Sequence, residues 1–141
     1  MSKRDIEFYL IDIFIAIDKI KRYTSKFSSA NELLSNELYW DGVIRELEII
    51  GEATKHLLNN ELIDIYYRRV VDFRNQISHG YFGIDADIVW EVATKKLLNY
   101  EDDLKNMINK FNLDLKPAIQ KAKKENSSQK EVVLFLEKLN F

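Results

Sequence analysis

Between Ile6 and Ile20 the chain is apolar on almost every side that a helix can offer. Ile6, Leu10, Ile13, Ile17 and Ile20 recur at spacings of 4, 3, 4 and 3, the stripe of a packed helix. Phe8, Tyr9, Ile11, Phe14 and Ile15 widen that stripe well beyond one face. A helix of this kind, expected from about Asp5 to Lys26, must bury two sides. Two surfaces can cover the second side: a partner subunit in a homodimer, or the short segment Ser29–Leu38 folding back over it. The residues alone leave both open.

The rest of the chain reads as helix too. Ser29-Ala30-Asn31-Glu32 has the Ser-x-x-Glu form of a capping box, so a short helix opens there. A second long helix is expected from near Asp41, carrying Val43, Ile44, Leu47, Ile50, Ala53 and Leu57. Gly51 lies inside it. A glycine there costs about 1 kcal/mol against alanine, which suits the close approach of another helix better than a break. After an Asn59-Asn60 turn, a third helix runs from about Glu61 to His79, with Leu62, Ile65, Tyr66, Val70, Phe73 and Ile77 inward. Asp85 is a suitable N-cap for a fourth helix ending near Phe111. Pro117 fits the first turn of another, and Ser128-Gln129-Lys130-Glu131 forms a second capping box. No strand-type alternation of useful length occurs. The expectation is an all-α fold: an antiparallel four-helix bundle over residues 1–111, with a C-terminal helical extension over 112–141 in the same domain.

Composition supports this and narrows the chemistry. At 141 residues, with 46% apolar and 31% charged, the chain is long enough for one domain with a real core. One proline and four glycines supply little turn chemistry. The absence of cysteine excludes disulfides, thiolate zinc sites and a cysteine nucleophile, and fits a cytoplasmic location. Asp12 and Asp18 interrupt the first apolar run, so neither a signal peptide nor a membrane span fits. The net charge of -2 is uneven: residues 110–141 hold seven lysines against four acidic residues. That basic tail reads either as a solvated helix surface or as a contact for RNA phosphates.

Only two histidines are present, and one of them lies in the segment Arg74-Asn75-Gln76-Ile77-Ser78-His79-Gly80-Tyr81. Gly80 is placed to stop a helix. Arg74 and His79 are five residues apart, about 140° around a helix axis, and Asn75 shares a face with His79. A fixed cation near a group that titrates close to neutrality suits work on a phosphate: the arginine binds oxygens and the histidine moves a proton. Such a pair also arises as an ordinary helix cap. His56, one turn after Glu52, reads as an ion pair more readily than as half of a metal site. No metal-binding or phosphate-loop motif occurs, so neither metal nor cofactor is expected.

That segment resembles the R-x4-H-x-Y signature of the HEPN superfamily, in particular its HepT-like ribonuclease toxins. The likeness extends to Val43–Ala53, similar to the family's second helix, and to His79–Asp85 with Val89-Trp90-Glu91, similar to its junction with the fourth. It covers roughly residues 3–110. The proline and tryptophan usual before the third helix are absent between Leu58 and Arg69, and residues 112–141 lie beyond the resemblance.

The resemblance implies a homodimeric helical bundle acting as a metal-independent endoribonuclease on an RNA substrate. It also implies a nucleotidyltransferase antitoxin of the MntA type, which silences the toxin by transferring AMP to the motif tyrosine. Carried over residue by residue, Arg74 and His79 are catalytic, Asn75 and Ser78 supporting, and Tyr81 the modified position. The competing expectations are a non-catalytic dimer that binds a nucleotide, an RNA end or a partner, and a purely structural helical dimer.

Overall fold

The computed structural model describes residues 3–79 and 83–141, with side chains from residue 6 onward. Its helices are α1 (Lys3–Thr24), α2 (Ala30–Leu34), α3 (Glu37–Asn59), α4 (Arg68–His79), α5 (Ala86–Glu91), α6 (Leu97–Lys110), α7 (Lys116–Glu125) and α8 (Lys130–Lys138). A 3-10 turn, Ile65–Tyr67, leads into α4, and a π turn, Val92–Lys96, joins α5 to α6 as one rod. The all-α class is as expected. Among the described residues, no helix is long and apolar enough to cross a membrane.

α1 is the axis of the core. Ile6, Leu10, Ile11, Ile13, Phe14, Ile15, Ile17 and Ile20 are all buried. Each such side chain contributes about 1.5–3 kcal/mol through removal from water. One side of α1 packs along α3, and other sides meet the π turn, α6, α7 and α8. Ala118, Ala122, Val132 and Leu136 of the C-terminal helices join the same core, and Phe141 packs on Phe14 with ring centroids 5.3 Å apart. The second apolar side of α1 is therefore covered by this chain's own extension. The short segment, one of the two covers considered from the sequence, packs through α2 on α3 and α5. Periodicity shows that a face must be buried, but not which distant segment buries it.

Helix ends follow local chemistry, with instructive departures. Ser29 caps α2 by accepting from the Glu32 N–H at 3.2 Å, but Glu32 reaches back to Ser28 rather than to Ser29. α3 starts at Glu37, before Asp41, because the Asn36 side chain accepts from Tyr39 N–H at 3.3 Å. α4 begins at Arg68 rather than Glu61. Glu61 adopts φ 56°, and the Leu62 N–H returns to the Leu57 carbonyl at 3.1 Å, closing α3. Asp64 then caps the 3-10 turn through Tyr66 N–H at 2.7 Å. Ile65 and Tyr66, expected inward, are consequently 71% and 53% exposed.

Asp85 caps α5 as expected, accepting from the N–H groups of Asp87 and Ile88. The π turn adds a residue to the rod and rotates α6 by about 100° about the common axis. Leu97, Tyr100 and Leu104 then face the core, while Leu98 does not. Pro117 sits in the first turn of α7. Ser128 does not cap α8: Gln129 holds that position, its N–H bound to the Asn126 carbonyl at 2.8 Å in a tight turn after α7.

Candidate active site

The site grows from the crossing of α3 and α4. Gly51 is buried on α3, and a Cβ built there would stand 2.1 Å from Arg74 Cβ and 2.5 Å from its Cγ. The missing side chain lets α4 lie against α3, which is the close approach expected of this glycine. On either side of that contact the helices are laced by polar pairs. Ser78 donates to Glu48 Oε2 at 3.0 Å, and Arg74 Nη2 lies 3.6 Å from Glu52 Oε2. Residues 48 and 52 ascend as 78 and 74 descend, so the two helices run antiparallel.

Arg74 is only partly exposed. Its Nη1 donates to Asn75 Oδ1 at 3.3 Å, while its Nε is buried without a hydrogen-bond partner. The guanidinium borders a cavity of about 190 Å³ that Lys55, Arg68, Asn59, Asn75 and Glu52 also line. Three cations face one carboxylate there, so the cavity is locally positive although the chain as a whole carries -2. Glu52 is shared. Its Oε1 lies 3.7 Å from His56 Nε2, and the His56 imidazole stacks on Tyr9 at 4.1 Å and 6°. That stack ties the site to α1.

The expected residues therefore divide. Arg74 and Asn75 are brought together at the cavity. Ser78 supports the assembly from one turn further on, through Glu48. His79 is the last described residue of α4 and is exposed at its C-terminal end. The stop expected at Gly80 and the modification assigned to Tyr81 fall on residues outside those described. Glu52 was readable only as a partner of His56; its second partner, Arg74, comes from another helix. A stripe of Glu48, Glu52 and His56 beside a glycine is the signal that marks this face of α3 for a close neighbour. Among the described residues, no group of three or more His, Asp or Glu gathers to hold a metal.

A second arrangement steadies the start of α4. Tyr67 stacks on Tyr100 at 4.5 Å and its hydroxyl donates to Asp103, while the buried Tyr100 hydroxyl bonds Thr54 at 2.7 Å. Burial, then the bond to Asp103, raises the Tyr67 phenol above its ordinary range.

The stretch of chain that holds this site is similar to known proteins. The family described as Ribonuclease HepT-like matches residues 13–111, a span that includes α3, α4 and the cavity. The Methanocaldococcus jannaschii protein named "Putative RNase MJ1380" is 36% identical over 96 residues, covering 66% of this chain and 87% of its own. "Probable ribonuclease HepT" of Thermococcus cleftensis is 31% identical over 112 residues, covering 77% of this chain and 94% of its own. No solved structure matches the chain. The protein belongs to the HepT-like ribonuclease family of the HEPN superfamily.

Proposed function

We propose that this chain is a metal-independent endoribonuclease toxin that acts as a homodimer and is silenced by a nucleotidyltransferase antitoxin. The observation that carries the reading is Arg74: a guanidinium with a buried, unbonded Nε, aimed at a positive cavity, on the helix that ends in His79. RNA brings its own nucleophile. In this reading His79 takes the proton of the 2′-OH, whose oxygen attacks phosphorus as the bond to the 5′-oxygen breaks. Arg74, with Lys55 and Arg68 nearby, stabilises the charge that builds on the phosphorane. The departing 5′-oxygen takes up a proton, and the products carry a 2′,3′-cyclic phosphate and a 5′-hydroxyl. Two copies about a two-fold axis would supply two Arg-His pairs to one cleft. Asn75 and Ser78 hold the arginine and the helix in place.

Control falls to Tyr81. AMP on its phenol would add a bulky base and a negative phosphodiester that could compete with RNA for Arg74.

The test is direct. The purified chain, incubated with RNA in EDTA, should release fragments ending in 2′,3′-cyclic phosphate. Arg74→Ala should lower the rate roughly a hundredfold or more, and His79→Ala should abolish cleavage, both with helical content intact. Activity lost to EDTA and restored by a divalent metal would overturn the mechanism. RNA bound without being cut would make the chain a binding dimer instead. Tyr81→Phe should accept no AMP from the cognate transferase; AMP found on another residue would remove Tyr81 from the scheme.

A further inference from the structure

Tyr66 is over half exposed at the rim of a second cavity, of about 230 Å³, between α3, the start of α4 and the rod from α5 to α6. The floor is apolar, with Ile50, Leu97 and Tyr100 buried beneath it. The charged side chains that line it are both cations, Arg69 and Lys96. The Arg69 guanidinium carbon lies over the Tyr66 ring, 4.7 Å from its centroid, so a cation is stacked on the aromatic face. Tyr67 braces that ring edge-on at 5.2 Å and is itself fixed by Tyr100 and Asp103. Lys96 ends the π turn, a distortion that recurs at functional sites.

An apolar floor, a stacked tyrosine–guanidinium pair and a rim of one sign fit a flat ligand carrying negative charge. A base stacks on aromatic rings and on guanidinium planes, and a phosphate pairs with the cations. The two successive arginines of α4 also diverge: Arg68 lines the Arg74 cavity and Arg69 lines this one. A strand crossing α4 would meet both. We propose that this groove is a binding subsite for one unpaired nucleotide of the RNA strand, its base on Tyr66 and Arg69 and its phosphate on Lys96. The proposal rests on the ribonuclease reading and deepens it, since a stacking subsite selects single strands over duplex.

The experiment uses the full chain and a short single-stranded oligoribonucleotide that carries 2-aminopurine and 2′-O-methyl groups, which block cleavage. Binding should quench the probe's fluorescence. Tyr66→Leu and Lys96→Gln should each weaken binding by roughly tenfold, and Tyr66→Trp should restore it. Lys96 is exposed, so its variant reports on the groove without disturbing the core. If the wild type cuts natural RNA while both variants bind the probe as it does, the subsite is wrong and the ribonuclease reading stands. If the wild type neither binds nor cuts RNA, both fall. If Tyr66→Leu instead turns a dimer into a monomer in light scattering, the groove is a contact between copies of this chain and the proposal is overturned.

Discussion

Gly51 and Arg74 meet at the crossing of α3 and α4 so closely that a single methyl group on the glycine would overlap the arginine's Cβ, at 2.1 Å. The residue best suited to hold a phosphate is thus positioned by the absence of a side chain on its neighbour. Gly51→Ala gains helix propensity, about 1 kcal/mol, but it must push α4 away, at a cost of roughly 1–3 kcal/mol or more. The contact is with the root of Arg74, which cannot swing aside. We expect a melting temperature lower by several degrees and a loss of RNA cleavage larger than the loss of fold. Gly42→Ala is the control. Its Cβ would stand 3.2 Å from the rim of the Tyr23 ring, which can shift, so that variant should melt at or above the wild type. Equal behaviour of the two variants in thermal melts would contradict the close-approach account.

Glu52 lies 3.6 Å from the Arg74 guanidinium, so in the proposed reaction an incoming phosphate would compete with it for that cation. Glu52→Gln removes that competing charge. RNA affinity should rise by about two- to fivefold at low salt, the range of an exposed ion pair, with the gain shrinking as salt increases. Weaker binding, measured by fluorescence anisotropy, would mean that Glu52 orients Arg74 rather than competing for it.

The C-terminal helices cover a face of α1 that would otherwise be open. Leu136→Ala should cost roughly 2–5 kcal/mol, read in denaturant melts, because Leu136 is buried in the common core. Deleting residues 112–141 should expose that face and bring concentration-dependent self-association in light scattering. A truncated chain that stays as dispersed and as stable as the intact one would contradict the packing.

Two acids resist ionisation. The Asp12 carboxyl is raised from 3.8 to about 6, first by burial and then by Glu125. Part of Asp12 nevertheless remains in solvent, so its effect on stability is small. Glu46 is buried and is raised by that burial, against the pull of Lys19, Arg45 and Arg22. Between the unfolded and folded values the native state holds more protons, so stability falls as pH rises from about 4 through 6. Asp12→Asn and Glu46→Gln should therefore raise the melting temperature above pH 6 more than near pH 4. A gain that is the same at both values would exclude ionisation as its source.

Much of this protein is local, and what is local was legible. The apolar stripe of α1, the Ser29 and Asp85 caps, the Pro117 start and the placing of Arg74, Asn75, Ser78 and His79 on one helix all come from spacings of a few residues, which helix geometry alone sets. The reason for Gly51 was legible in kind, as a close approach, but not its partner. The later start of α4 was hidden because Leu62, Ile65 and Tyr66 keep a helical spacing that the left-handed turn at Glu61 overrides. What only the tertiary structure decided is which distant faces meet. It brings Glu52 to Arg74, the extension to α1, and Arg68 and Arg69 to different cavities. A helix repeats every few residues and so records that a face needs a partner. The partner's identity depends on chain paths closed over dozens of residues, and no local spacing carries that information.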